Sequence, residues 1–180
     1  LAIVTLDEDK QEEVAAAVLT HAQLLAAQSP PANAGATTLL VAPECDSLRD
    51  FKVYLELCAW LEEAFEELDL NGKVQLATFH PDFRFTDSAG PKDAADFVGR
   101  APAPAFHLLR EKEVSNALAS FQLSDAAGDV EVVGEFVSKR NARFLRARGW
   151  EACLEDLRRC EKPKKLQGAT SQQQTTLQPE

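Results

Sequence analysis

The 180-residue sequence has no methionine, one tyrosine and three histidines, and its eight glycines are scattered singly. It contains no G-x-G-x-x-G motif, no phosphate-binding loop with its lysine, no G-x-S-x-G and no H-E-x-x-H. These absences exclude the usual signatures of nucleotide-binding proteins, serine hydrolases and zinc proteases. Because methionine is missing even at position 1, we expect that residues precede Leu1 in the full translation product, either a cleaved organellar targeting peptide or a disordered N-terminus.

The cysteines and the apolar residues exclude two further classes of protein. The sequence has no C-x-x-C spacing, and none of its cysteines has a neighbouring histidine, which rules out a zinc ribbon; they are Cys45, Cys58, Cys153 and Cys160. No apolar run approaches the roughly 20 residues that cross a bilayer, so we predict no transmembrane segment. We expect a reducing compartment and neither a bound metal nor a cofactor.

The formal net charge of −10 argues against non-specific binding to nucleic acid or to an anionic membrane, because both need a basic surface. That charge is unevenly distributed. Residues 135–165 carry ten Lys/Arg against five Asp/Glu, a net charge of +5, so the rest of the chain sums to −15. The basic segment is either a set of solvated helix faces or a docking surface for an acidic partner.

The pattern of apolar residues predicts four strands and five helices. The strands are expected in "LAIVT", "TTLLVA", "KVQLATF" and "PAFHLL". A first helix follows the first strand, with Val14, Val18, Ala22 and Leu25 on one face. A second helix spans 48–68, with Asp46 or Ser47 as its cap. Three more are predicted at about 112–120, up to 148 and 150–160, and Gly149 separates the last two.

Up to Gly149 the order is β-α-β-α-β-β-α-α, which predicts an α+β fold in which a mixed four-stranded sheet packs against helices in two or three layers. We expect residues 1–149 to form a single domain and residues 150–180 to form a helical extension with a polar tail that is disordered unless a partner binds it. The predicted core includes Phe51, Leu55, Trp60, Phe65, Leu76 and Leu108.

Two segments, "LATFHPDFRF" (76–85) and "RAPAPAFHLLRE" (100–111), concentrate the uncommon polar residues. The candidate catalytic residues are His80, Asp82, Arg100 and His107, and the candidate substrate-binding residues are Arg84 and Arg110. Both histidines with Asp82 could form a two-histidine, one-carboxylate metal site. Alternatively, a histidine oriented by Asp82 acts as a general base, while Arg100 or Arg110 binds an anionic substrate through two hydrogen bonds. The third interpretation is structural: His80 and Asp82 close a turn, and Arg110 pairs with Glu111.

Four motifs resemble the bacterial and algal family catalogued as domain of unknown function fourteen-fifteen. They are "TTLLVAP" (37–43), "FHPDFRF" (79–85), "GRAPAPAFHLLRE" (99–111) and "KRNARFLRARG" (139–149), so the resemblance covers residues 1–149. The reaction of that family is not established. The resemblance therefore implies a fold and a site but no activity.

The chain departs from the family pattern at the site itself. Gly99 and Ala101 stand where the family has asparagine and serine, and Phe83 and Ala103 stand where it has tyrosines. Nothing corresponds to its N-terminal leucine-cysteine-proline-phenylalanine element. Because a hydrogen-bonding site that loses such groups loses orders of magnitude in discrimination or rate, we expect a weakened site.

These observations predict a non-catalytic accessory subunit of a larger organellar assembly, such as a photosynthetic or respiratory complex. We expect it on the soluble face of a complex in the chloroplast, or else in the mitochondrion, with the cytoplasm as the alternative. The predicted partner-binding residues are Trp150, Leu154, Arg158, Arg159, Lys162, Lys164 and Lys165. The alternative function is an enzyme that acts on a small anionic substrate through the histidine, aspartate and arginine cluster.

Overall fold

A computed structural model describes residues 1–27, 37–120 and 130–161. In chain order the elements are β1 (Ala2–Thr5), α1 (Gln11–Ala27), β2 (Thr38–Val41), α2 (Phe51–Glu67), β3 (Val74–Phe79), β4 (Ala105–Arg110), α3 (Glu111–Ser120), α4 (Val130–Arg148) and α5 (Trp150–Glu161). Two 3-10 helices, Asp46–Arg49 and Ala94–Val98, lie in the connections. The α+β class and the mixed four-stranded sheet are confirmed. No described helix combines the length and the apolar character needed to span a bilayer.

The sheet has the strand order β1-β2-β4-β3. Strands β1 and β2 are parallel, as expected for strands joined by a helical crossover, whereas β4 is antiparallel to both of its neighbours. Residue Phe106 pairs with Leu40 on one side and with Thr78 on the other. The chain therefore leaves β3, runs through residues 80–104 and returns to insert β4 into the middle of the sheet.

The hydrophobic core lies between one face of the sheet and helices α1 and α2. All four residues of the predicted α1 face are buried: Val14, Val18, Ala22 and Leu25. From the centre of the sheet, Leu40, Phe106 and Leu108 join them with no exposed surface. Alternate residues of a strand point to opposite faces. Phe106 and Leu108 are two positions apart, so both side chains point from β4 towards the helices.

Helix α2 begins later than predicted. Residues Asp46–Arg49 form a 3-10 helix instead of its first turn, and α2 starts at Phe51. The cap is Asp50, whose side chain accepts hydrogen bonds from the backbone N–H groups of Lys52 and Val53. A carboxylate at this position satisfies N–H groups that have no partner within the helix, which fixes the start of α2.

The buried face of α2 is also displaced from the predicted one. Phe65 and Leu108 are buried as predicted, and Phe51 and Leu76 are partly buried. The prediction was wrong for Leu55 and Trp60, which are 47% and 49% exposed. The face that packs on the core is formed by Tyr54, Leu57, Cys58, Leu61 and Phe65. The apolar arc of α2 was wide enough for two orientations, and contacts with the sheet select the one that buries Tyr54.

A second group of helices follows β4. Helix α4 packs against the 3-10 helix Ala94–Val98, and the buried carboxylate of Asp93 accepts two hydrogen bonds from Arg146, from Nε at 2.9 Å and from Nη2 at 2.7 Å. Gly149 has a φ of 87°, a left-handed conformation that glycine adopts readily and that separates α4 from α5 as predicted. The predicted loop at 29–35, most of the linker at 121–131 and the polar tail lie outside the described residues.

Two matched substitutions on α2 test its orientation. We expect Leu61→Ala to cost about 2–5 kcal/mol of unfolding free energy, because Leu61 is completely buried. The same substitution at Leu55 removes a half-exposed side chain and should cost less than about 1 kcal/mol. Urea denaturation of both variants measures the difference. Equal costs would contradict this packing of α2.

Candidate functional site

His80 follows β3 directly and is completely buried. Its Nε2 lies 2.9 Å from the carbonyl oxygen of Leu48, and its Nδ1 accepts a hydrogen bond from the backbone N–H of Asp82 at 3.0 Å. A carbonyl can only accept, so Nε2 carries the proton and the imidazole is neutral. Both ring nitrogens are thus committed to the backbone, which leaves no lone pair to take a substrate proton or to bind a metal ion.

The surroundings of the His80 ring also favour the neutral imidazole. The ring packs against Phe51 and Tyr54, with centroids 5.0 and 4.9 Å away. Burial lowers the pKa of His80 below its ordinary value of 6.5, because a charged imidazole is poorly solvated among these rings. The backbone N–H of His80 donates to Gly99 O at 3.0 Å, and its carbonyl accepts from Phe83 at 3.1 Å. His80 therefore closes the turn after β3, in agreement with the structural interpretation.

The structure does not bring His107 to His80. His107 lies in β4 between Phe106 and Leu108, which both point into the core, so its side chain projects from the opposite face of the sheet. Burial lowers the pKa of His107, and its Nε2 has no hydrogen-bond partner within the described part of the chain. The sheet separates the two imidazoles, and a metal ion bound by both with Asp82 is ruled out in this conformation.

Arg100 lies beside His80, and its guanidinium contacts a backbone carbonyl and two aromatic rings. Its Nη1 donates to Pro81 O at 2.9 Å, and the guanidinium lies over the rings of Phe97 and Trp150, at 5.2 and 4.8 Å from their centroids. Burial lowers the pKa of Arg100 while the nearby carboxylates of Asp82 and Asp96 oppose that shift. A guanidinium held by a carbonyl and two aromatic faces fixes the local chain.

The other three candidate residues, Asp82, Arg84 and Arg110, lie in two separate places. Asp82 and Arg84 are exposed on the segment after β3, next to His80 and Arg100. Arg110 is buried at the far end of β4, where its Nε lies 3.9 Å from Oε1 of Glu113. Because β4 starts near His80 and ends opposite Val74, Arg110 cannot share a site with Arg100.

Aromatic packing surrounds Phe83, a position at which the resemblance implies a polar group. A Cβ added to Gly99 would lie 2.5 Å from the Phe83 ring, so the ring fills the space that a side chain at position 99 needs. Phe83 also contacts Phe51 and Phe85, with centroid distances of 6.1 and 4.9 Å. The phenylalanine at 83 and the glycine at 99 are therefore complementary in shape, and the Phe83 ring forms a hydrophobic cluster with Phe51 and Phe85.

Sequence reasoning missed two residues that organise the site. The buried Tyr54 hydroxyl donates to Ala105 O at 2.8 Å and accepts from Phe79 N at 3.1 Å, which links α2 to β3 and β4. Burial raises its pKa far above the ordinary range. Asp96 is fully buried and accepts from Phe85 N at 3.1 Å. Tyr54, the only tyrosine of the chain, lies three residues before Leu57 on the same apolar arc, and that spacing was the available signal.

Asp93 was also missed, although its position before the 3-10 helix Ala94–Val98 is a recognisable cap signal. It accepts from Ala95 N at 3.0 Å and from Ala89 N at 2.9 Å, in addition to the two bonds from Arg146. The Arg146 guanidinium and these N–H groups hold the pKa of Asp93 well below its usual value. This carboxylate joins α4 to the segment that follows Arg84.

The predicted partner-binding residues lie at the other end of the described chain. The Trp150 ring contacts Phe97, with centroids 4.9 Å apart, Leu154 is partly buried and Arg158 is exposed. Arg159 lies 3.4 Å from Glu155 and 3.6 Å from Asp156 in exposed ion pairs, which contribute little to stability. Lys162, Lys164 and Lys165 lie outside the described residues.

The geometry of the described residues supports neither a metal site nor a disulfide bond. In the described ranges, no group of three or more His, Cys, Asp or Glu side chains is placed to hold a metal ion. Cys45, Cys58 and Cys153 are buried free thiols, and Cys160 is an exposed one. Burial raises the pKa of the Cys58 thiol to about 12, so it stays protonated and unreactive near neutral pH.

Comparison with protein families gives one match, which covers most of the chain. A family model described as "Protein of unknown function (DUF1415)" matches residues 1–155, which include all the site candidates except the partner-binding residues beyond Leu154. The chain belongs to this family. The matched region ends within α5, so it also includes Trp150, whose ring covers Arg100. No curated protein and no solved structure gives a significant match.

The neutral state of His80 predicts how stability depends on pH. The unfolded chain takes up a proton near pH 6.5, whereas folded His80 resists protonation to a lower pH, so stability should fall as the pH drops below 6.5. His107, whose pKa is also lowered, contributes to the same loss. His80→Gln should be less stable at neutral pH but should lose less on acidification. Urea denaturation between about pH 7.5 and 5.5 measures both slopes, and identical slopes would refute a neutral, buried His80.

The contact between Gly99 and Phe83 predicts a measurable coupling. Gly99→Ala should cost about 1–3 kcal/mol of unfolding free energy, because the new Cβ forces the Phe83 ring to move. In a Phe83→Ala background the same substitution should cost much less. A double-mutant cycle by urea denaturation isolates this coupling, and additive costs would show that the two residues pack independently.

Proposed function

We propose that this chain acts by binding, as a non-catalytic accessory subunit of a larger protein assembly. The observation that carries the proposal is the state of His80, the histidine at the centre of the candidate site. A general base needs a free lone pair within reach of a substrate proton, and both ring nitrogens of His80 are engaged by Leu48 O and Asp82 N. In this role the polar cluster stabilises the fold.

The packing around His80 supports the same function. Phe83 and Gly99 replace polar groups of the family pattern with a hydrophobic contact, and Arg100 is held by Pro81 O and two aromatic rings. A catalytic site needs polar groups directed at a cavity. These groups are instead directed at the protein itself, as expected when an ancestral site has been retained for stability.

The distribution of charge and exposed apolar surface supports a protein partner. Residues 44–69, which include α2, carry nine Asp/Glu against two Lys/Arg, whereas 135–165 carry a net charge of +5. On α2, Trp60 is half exposed and lines a groove of about 540 Å³ with Val53, Leu57 and Ala15, next to Glu12 and Glu56. Half-exposed tryptophans are typical of interfaces, because a large amphipathic ring gives much contact area.

The C-terminal segment 150–180 is the proposed partner-binding region. Leu154 and the outer surface of Trp150 are its apolar anchors, and Arg158, Arg159, Lys162, Lys164 and Lys165 meet an acidic surface of the partner. Trp150 already packs on Phe97, so its position is fixed before any partner arrives. Preorganisation of this kind lowers the entropic cost of association.

The proposed assembly is organellar, a photosynthetic or respiratory complex of the chloroplast or else the mitochondrion, and a cytoplasmic assembly is the alternative. The net charge of −10 suits docking through protein contacts, because an anionic membrane surface repels such a chain. The localisation of the tagged full-length protein distinguishes these compartments.

An enzyme acting on a small anionic substrate is the second candidate function. Its favourable observation is that Asp82 and Arg84 are exposed beside Arg100, so a carboxylate and a cation face solvent at the same end of the sheet. Such an enzyme would use these two side chains, because His80 is committed and His107 lies on the opposite face of the sheet.

Charge reversal on α5 tests the binding function. We expect the full chain to co-purify with a defined partner at a constant ratio, and Arg158→Glu with Arg159→Glu to weaken this association and make it less dependent on salt. Quantitative mass spectrometry of affinity-purified protein measures the ratio. The control is Lys10→Glu with Lys73→Glu, which makes the same charge change on two exposed side chains outside α5 and should leave the ratio unchanged.

Two results would contradict the proposal. One is a chain that purifies alone at every salt concentration. The other is substrate turnover by the purified chain that Asp82→Asn abolishes, which would establish the enzyme instead.

A further inference from the structure

Helices α1 and α2 leave a groove between them that opens to solvent. The groove has a volume of about 540 Å³, which lies in the range of specific binding sites. Val53, Leu57 and Trp60 line it from α2, and Gln11 and Ala15 line it from α1. Its floor is apolar, because Leu57 and Ala15 belong to the hydrophobic core. The groove is therefore a place where the core between the two helices reaches the surface.

Trp60 forms the exposed wall of this groove. On α2 the residues Val53, Leu57 and Trp60 are spaced i, i+4 and i+7, so they form one apolar stripe over two turns of the helix. The Trp60 side chain is 49% exposed at the end of that stripe. A half-exposed tryptophan next to an apolar floor is the kind of side chain that dominates the binding energy of protein interfaces.

The rim of the groove is acidic on both helices. Glu12 of α1 and Glu56 of α2 are among its lining residues. Glu63 and Glu67 follow Glu56 at i+7 and i+11, so they continue the same side of α2 beyond Trp60. All four carboxylates are exposed.

The lysines of these two helices and of the turn before α1 do not neutralise the rim. Lys52 lies 3.8 Å from Glu56, and Lys10 lies 3.1 Å from Glu13. When both pairs are counted with the rest of the rim, five carboxylates stand against two lysines, which leaves a net charge of −3. An occupant of the groove is therefore attracted if it is basic and repelled if it is acidic.

The backbone of α1 and α2 determines the form of the occupant. Backbone N–H and C=O groups inside a helix already bond to each other, so the groove offers an extended peptide none of the hydrogen bonds that a free strand edge would provide. A segment that docks here has to satisfy its own backbone, as a helix does. A second copy that presented the same groove would bring two acidic rims together, which is unfavourable.

We propose that the groove between α1 and α2 docks a basic amphipathic helix of a partner protein. The apolar face of that helix covers Val53, Leu57 and Trp60, and its Lys and Arg side chains meet Glu12 and Glu56. The inference rests on the proposed binding function and adds to it a second surface, opposite in charge to α5.

A designed peptide tests the groove in the full chain. It has about 18 residues, with leucines at i, i+3, i+4 and i+7 and lysines elsewhere, so it forms a basic amphipathic helix. Fluorescence anisotropy of the labelled peptide at physiological salt should show saturable binding to a single site. A peptide of the same composition in which leucine and lysine alternate should bind about tenfold more weakly, because it has the charge but no apolar helical face.

A matched pair of substitutions tests the apolar wall. Trp60→Ala should weaken binding of the leucine-lysine peptide by about tenfold, since it removes the main anchor. Leu55→Ala is the control, because Leu55 is 47% exposed on another side of α2 and lies outside the groove lining. It should leave the affinity unchanged.

A second matched pair tests the acidic rim. Glu12→Gln with Glu56→Gln should weaken binding of the peptide and reduce its salt dependence. Glu62→Gln with Glu66→Gln makes the same charge change on α2 residues that line a different cavity with Gln75 and Leu76, and it should leave the affinity unchanged. Thermal unfolding of each variant without the peptide confirms that it is folded.

Three outcomes would overturn the proposal. The first is an equal loss of affinity in the groove variants and their controls, which would indicate general attraction of cations to an acidic chain. The second is equally tight binding of the alternating peptide. The third is self-association of the full chain that Trp60→Ala abolishes, with no binding of the peptide, which would make a second copy or the basic C-terminal segment of this chain the occupant.

The α5 variant separates this inference from the proposed function. Arg158→Glu with Arg159→Glu should leave the affinity for the peptide unchanged, because α5 does not line the groove. If the chain co-purifies with a partner through α5 but does not bind the peptide, the groove proposal alone is wrong. If it binds the peptide through the groove but purifies alone, the role of α5 is wrong instead.

Discussion

The neutral imidazole of His80 is the constraint on which the end of the sheet depends. One nitrogen donates to Leu48 O and the other accepts from Asp82 N, so the ring links the 3-10 helix before α2 to the turn after β3. Its backbone N–H donates to Gly99 O, which holds the two ends of the segment 80–99 together, and its carbonyl accepts from Phe83 N within the turn. A side chain that lacked both a donor and an acceptor at these positions would leave a buried carbonyl or N–H group unpaired, which costs about 1–3 kcal/mol.

Around this histidine, a set of polar residues that resembles a catalytic cluster is used for packing and chain closure. Tyr54 joins α2 to Phe79 and Ala105, Arg100 is held between aromatic rings, and Asp93 receives Arg146 from α4. Tyr54, Arg100 and Asp93 each have at least one hydrogen-bond partner 19 or more positions away in sequence. The arrangement fixes the long connection between β3 and β4, which contains little regular structure of its own. The need to stabilise the connection between β3 and β4 is enough to explain why such polar residues occur there.

The connection between β3 and β4 lies between two surfaces of opposite charge. The acidic, partly apolar surface of α2 is continuous with the sheet layer, whereas the basic surfaces of α4 and α5 are attached through Asp93, Phe97 and Arg100. A chain with two surfaces of opposite charge can meet different partners, because each surface attracts one sign of charge and repels the other.

The sequence by itself determined the α+β class, the four strands, the buried face of α1 and the helix boundary at Gly149, because these depend on residue spacing and on local backbone preferences. The tertiary structure alone decided the orientation of α2, which buries Tyr54 and exposes Trp60, since a wide apolar arc permits more than one packing. It also decided that β4 lies between β2 and β3, and this position places His107 on the face opposite His80. The partners of His80, Arg100 and Asp93 come from residues up to 53 positions away, and no local pattern encodes such contacts. The chemical role of these residues was therefore fixed by long-range packing, which sets their exposure and their hydrogen bonds.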